Sequence, residues 1–133
     1  MTLRRQFDLL PEDTAVLDDY GLPWEVIVDK DQWVLIHDFP TPGGYNLEQA
    51  VAAIRLLTGY PRTPLDMVYF HPHLVRLDGK LIGQTAARQP IDGKEFQQWS
   101  RHRTPQNPWI VSQDNIGTHI ILIENWLERE FLK

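Results

Sequence analysis

Residues 96–104 read FQQWSRHRT, which places two aromatics, a serine hydroxyl, two guanidiniums and an imidazole within one short stretch. The chain has only two serines, Ser100 and Ser112, and the first lies in this cluster. A serine hydroxyl attacks an acyl group when a base stands within hydrogen-bond reach and nearby donors or cations stabilise the oxyanion. His102, two positions on, is the candidate base, and Arg101 and Arg103 are candidates to hold negative charge. The competing expectation is structural: Ser100 caps a turn and Trp99 fills the core.

The other chemistry-bearing residues are more scattered. His71 and His73 flank Pro72 at the end of an apolar stretch. Two residues apart on a strand, they would face the same way, so a metal pair is geometrically possible, with His102, His119 and Asp114 able to complete it. No HExxH or other spaced metal motif accompanies them, and no metal is expected. His73 remains a candidate donor near an acyl site, or an inert surface histidine. His37 and Asp38 read as polar groups at a strand end. Asp114 reads as a helix N-cap; as the acid orienting His102 it would complete a Ser-His-Asp arrangement, but spacing alone does not set that distance.

These groups must be positioned by a small domain. The 133 residues suit one domain, 1–133, and 42% hydrophobic content can build a core without staples. The net charge of −5 argues against a nucleic-acid partner, which would call for a basic surplus. No apolar run approaches the ~20 residues of a membrane span, so no membrane partner is expected. MTLRRQFDLLPED carries two arginines without an apolar h-region, so it does not read as a secretory signal. Cysteine is absent, which removes disulfides, thiolate metal sites and a cysteine nucleophile. The expected location is the cytoplasm.

LLPEDTAVLDDYG opens with a helix signal: Pro11 suits the first turn, Glu12 and Asp13 favour the N-terminus, and Gly21 is a stop. WEVIVDKDQWVLIHDF reads as two strands turning at Asp29 to Asp31. NLEQAVAAIRLLT is helical by propensity, yet it could be a strand if a sheet overrides propensity. LDMVYFHP reads as an apolar strand, LIGQTAARQP as irregular, and Asp92 and Gly93 as a turn. In KEFQQWSRH, the three-residue spacing of Phe96 and Trp99 suits one helical turn better than a strand. Ile116, Ile120, Ile123 and Leu127 form the stripe of an amphipathic helix capped by Asp114 or Asn115. Helix, strands, irregular region and helix make an α+β domain.

GYPRTPLDMVYFHPHLVRLDGKLI resembles the stretch of the ubiquitin-conjugating (UBC) fold that runs from its tyrosine–proline turn through His-Pro-Asn to an Asp-Gly turn. The matching residues are Tyr60, Pro61, Pro64, His71, Pro72, Asp78 and Gly79. With LPWEVIVD, HDFPTPGGYN, PLDM, IDG and WSRHRT, the chain is similar to the bacterial family E of ubiquitin-conjugating-like proteins over roughly residues 8–130. Members are encoded beside a ubiquitin-like protein, an activating enzyme and a JAB-type peptidase. The resemblance implies an N-terminal helix, an antiparallel four-stranded meander with residues 47–57 as its third strand, an active-site loop and a C-terminal helix.

It also implies a function: a carrier that accepts a ubiquitin-like protein from an adenylating activating enzyme and passes it to an amine on a protein target. No cofactor is implied, because ATP and magnesium belong to the activating enzyme. Residues 1–22 are the implied dock for that enzyme, and residues 1–9 are expected to be removable without loss of the fold. Two departures stand out. His73 occupies the third position of His-Pro-Asn, and the cysteine expected a few residues after the Asp-Gly turn is missing from KLIGQTAA. Either that cysteine has been replaced, at Ala86 or Ala87, or another nucleophile serves, or there is none. The family's tendency to work through serine oxyesters points to Ser100 as acyl acceptor, His102 as base and His73 as supporting donor. The alternative is an inactive variant acting as a scaffold for the ubiquitin-like protein or the activating enzyme; a histidine-based metal hydrolase is a weaker rival.

Overall fold

A computed structural model describes residues 2–133. Helix α1 (Pro11–Tyr20) begins at a proline, where a missing N–H costs nothing, and ends at Gly21, whose φ of 85° is the left-handed turn that glycine adopts without strain. Six strands follow: β1 (Trp24–Asp29), β2 (Asp31–Pro40), β3 (Gln49–Leu56), β4 (Val68–His71), β5 (Arg88–Ile91) and β6 (Lys94–Trp99). Helix α2 (Ile116–Arg129) closes the chain, with a short 3₁₀ turn at Glu130–Leu132.

The sheet is antiparallel in the order β1-β2-β3-β4-β6-β5, so it has six strands where four were expected. Residues 49–56 are a strand despite their helical propensity. They lie between β2 and β4, and Ala52, Ala53 and Ile54 are fully buried, so burial on both faces overrides the local preference.

KEFQQWSRH is not a helical turn. It forms β6, paired with β4 on one side and β5 on the other. Residues three apart in a strand point to opposite faces. Phe96 packs with Trp33, Tyr69 and Ile91 on one face, while Trp99 packs with Phe70 and the helices on the other. A doubly buried strand thus reproduces the spacing of a helical turn. Strand β5 was hidden by Pro90, which is tolerated because β5 is the sheet edge. Asp92 and Gly93, both with positive φ, make the tight hairpin turn into β6.

On the helical side, Leu17 of α1 and the stripe Ile116, Ile120, Ile123 and Leu127 of α2 cover the sheet. Asn115, not Asp114, is the N-cap of α2: its side chain accepts from Thr118 N–H, and Thr118 Oγ1 accepts from Asn115 N–H. Gly117 lets α1 approach closely, since a Cβ there would stand 3.0 Å from Val16 and force it to shift. Fully buried Asp13 joins the layers, accepting from Tyr60 Oη at 2.8 Å and from Ile116 N–H at 3.2 Å.

The other face is closed by curling of the sheet, which brings the two edges together. Arg4 bridges Glu25 on β1 and Asp92 at the β5–β6 turn, each at 2.7 Å. Arg5 pairs with Val26 and stacks its guanidinium on Trp24. Residues 4–6 therefore extend the sheet at β1, which weighs against residues 1–9 being dispensable. Their deletion should lower the melting temperature markedly, because buried Glu25 would lose its guanidinium; an unchanged melt would show the leader to be passive.

Buried His119 and Glu25 contribute to the acid stability. Burial pushes His119 down to about 4 from an ordinary 6.5. The unfolded chain takes up this proton first, so stability is complete above pH 6.5 and is lost as pH falls towards 4. The Arg4 hydrogen bond, opposed by burial, holds Glu25 at about 2 against an ordinary 4.5, so its contribution is lost as pH falls from 4.5 towards 2. Burial raises Asp13, which acts in the opposite sense and favours the fold as it protonates. Thermal melts should therefore drop between pH 6.5 and 4, and His119→Gln should flatten that arm while leaving the lower one.

Candidate functional site

The site lies where three segments meet beyond the β4–β6 pairing of Val68 with Trp99. Ser100 N–H donates to Gln84 O at 3.0 Å, and Met67 N–H donates to Arg101 O at 3.0 Å. These bonds draw the loop after the Asp78–Gly79 turn, the residues before β4 and the residues after β6 into one corner. Met67 and Gln84 both adopt φ near 57°, a left-handed conformation that costs of order 1 kcal/mol each in a non-glycine residue. Met67 is held there by His119 of α2, whose Nε2–H donates to Met67 O at 2.8 Å.

Ser100 is half-buried, and its Oγ accepts from Gln98 Nε2 at 3.1 Å. That bond leaves the hydroxyl proton free to be donated elsewhere. His102 does not hydrogen-bond Ser100. Its Nδ1 lies 2.8 Å from Asp66 Oδ2 and 3.1 Å from Oδ1, with His102 62% and Asp66 42% exposed. The carboxylate facing this histidine is therefore Asp66 and not Asp114, which accepts from Ile110 N–H at 2.7 Å and pairs with Arg103 at 3.4 Å.

Neither arginine of the cluster is free. Arg101 donates to Gly83 O at 2.9 Å, meets buried Glu130 at 3.2 Å and stacks on Trp99. Arg103 is committed to Asp114 and Trp109. His73 stands elsewhere: its Nε2 lies 3.8 Å from Glu95, near the start of β6. Ser100 is five residue steps beyond Glu95 along the extended chain of β6, about 16 Å, so His73 is not brought to Ser100. His71 donates from Nδ1–H to Glu95 O, 3.2 Å away, and packs on Phe96. His37 pairs with Glu25 at 2.7 Å. Among the described residues, no three His, Cys, Asp or Glu side chains gather as a metal ion would require.

Ala86 and Ala87, where a cysteine would be sought, run beside β6, with Gln98 N–H donating to Ala87 O at 3.0 Å. The loop carrying them borders a cleft of about 570 Å³ lined by Leu74, Arg76, Leu81, Gln84, Arg88 and Gln97. Leu81 is almost wholly exposed at its rim. Asp66 and Gln98 were not legible as site residues. Gln98 would have followed from reading 94–99 as a strand, since it alternates with Ser100; Asp66 has no spacing signal, because its partner lies across a tertiary contact.

An α+β domain with a six-stranded antiparallel sheet and two helices fits an E2-like family. The model of prokaryotic E2 family E matches residues 9–130, nearly the whole chain, and the protein belongs to that family. Neither a curated protein nor a solved structure matches it. No helix is long and apolar enough to cross a membrane among the described residues.

Proposed function

We propose that the protein is a carrier in a bacterial ubiquitin-like conjugation pathway, holding the modifier as an oxyester on Ser100. The observation that carries this is the bond between Ser100 N–H and Gln84 O, which seats the serine against the loop where a UBC-fold cysteine would be expected. The adjoining cleft, apolar at Leu74 and Leu81, suits an extended C-terminal tail entering towards Gln84 and Ser100. In the transfer, Ser100 Oγ attacks the acyl carbon of the modifier activated by the adenylating enzyme. The Oγ–C bond forms, the hydroxyl proton passes to His102, and the bond to the activating enzyme's adenylate or ester breaks, its leaving group recovering the proton. A target amine then repeats the displacement at the ester carbon and frees Ser100. His73, at the far end of β6, serves the approach of modifier or target rather than the acyl carbon. The surface of α1 and the ordered leader is the proposed dock for the activating enzyme.

A scaffold role is the second reading, favoured by the separate hydrogen bonds of Ser100 and His102. Incubation with the activating enzyme, the modifier and ATP separates the two. The carrier gains the mass of the modifier less one water, only when ATP is present. Binding of the modifier or activating enzyme with no mass gain would establish the scaffold instead.

A further inference from the structure

The Asp66 carboxylate faces the ring of His102. Both its oxygens lie within 3.1 Å of His102 Nδ1, although the two residues are 36 positions apart. The contact is built from both layers of the fold. Met67 N–H donating to Arg101 O adds one rung beyond the end of the β4–β6 ladder and sets residues 66–67 against 101–102. Met67 turns through a φ of 58°, and buried His119 on α2 fixes its carbonyl at 2.8 Å. Asp66 is thus presented to His102 by a strand end and a helix together.

A carboxylate only accepts, so the nitrogen facing it must be the one that carries the proton. A neutral imidazole has one N–H, and placing it on Nδ1 leaves Nε2 with the free lone pair. We propose that Asp66 is the positioning residue of this site: it fixes His102 as the Nδ1–H tautomer and so reserves Nε2 to receive the Ser100 proton. Its purpose rests on the carrier function proposed above, whereas its chemistry rests on the hydrogen bond alone. When Nε2 takes the serine proton, the imidazolium keeps its Nδ1–H on Asp66, whose charge stabilises it until the proton passes to the leaving group.

The test uses the full chain labelled with ¹⁵N, with the His102 ring signals assigned by their loss in His102→Ala. At pH 8 the parent should show Nδ1 protonated and Nε2 bare. Asp66→Ala should move the proton largely to Nε2, and Asp66→Glu should return it to Nδ1. With the activating enzyme and ATP, the rate of adduct formation should fall about 100-fold in Asp66→Ala at unchanged half-saturation by the charged activating enzyme, and recover to within tenfold of the parent in Asp66→Glu. An unchanged tautomer in Asp66→Ala overturns the proposal, as does an Asp66→Ala rate within twofold of the parent. If the parent forms no adduct, the carrier function fails, and the nitrogen shifts alone decide the role of Asp66.

Discussion

Ser100→Ala is expected to accept no modifier while melting within a few degrees of the parent. The side chain is half-buried and makes one hydrogen bond, from Gln98, whose loss costs about 1 kcal/mol. In a domain this size that moves the melting temperature by roughly 4 °C. A fold defect therefore cannot account for loss of the adduct, which is read by intact mass and thermal melt on the same preparation. Ser100→Cys should restore the adduct as a thioester, released by thiols that leave the parent ester untouched. Full acceptance by Ser100→Ala would make the serine a spectator and turn attention to Ser112.

Gln97→Ala should produce a large loss of stability for a polar substitution. Gln97 is buried on β6 and satisfies three groups: its Oε1 accepts from Leu74 N–H at 3.0 Å and from Trp99 Nε1–H at 2.9 Å, and its Nε2 donates to Leu74 O at 3.0 Å. It pins the segment after His71–Pro72 to β6, the strand that leads into Ser100. Truncation strands all three buried groups, at about 1–3 kcal/mol each before relaxation, so a net loss of about 4 kcal/mol is expected. The melt should fall by roughly 15 °C, with Gln97→Leu no better because it fills the space without meeting the donors. A fall under about 3 °C would mean that water replaces the amide and that the pin is dispensable.

Local signals account for what was legible from sequence. Pro11 and Gly21 bound α1, Asp29 to Asp31 turn β1 into β2, and the Ile116–Leu127 stripe marks α2, each because the deciding interactions lie within a few residues. Strand β3 followed from the family resemblance and not from its own residues, since burial between β2 and β4 opposes its propensity. Strand β6 was misread because Phe96 and Trp99 serve two different cores. Ser100 and His102 stood out as rare residue types in one cluster. Their partners did not, because Gln98 depends on strand alternation and Asp66 on the Met67–Arg101 rung, which exists only once β4 and β6 are paired. Arg101 and Arg103, candidates to hold charge beside Ser100, are engaged for the same reason: Glu130 of the 3₁₀ turn after α2 and Asp114 just before α2 reach them.

The position of the ester tests the central claim most directly. After loading with modifier and ATP, tryptic digestion at mildly acidic pH yields the peptide EFQQWSR, residues 95–101, which contains Ser100 and no lysine. Tandem mass spectrometry should find the modifier's C-terminal remnant on this peptide, with the added mass on the serine, and hydroxylamine should remove it. An unmodified EFQQWSR from a fully loaded sample, with the remnant on Ser112 or on a lysine, would contradict an acyl site at Ser100.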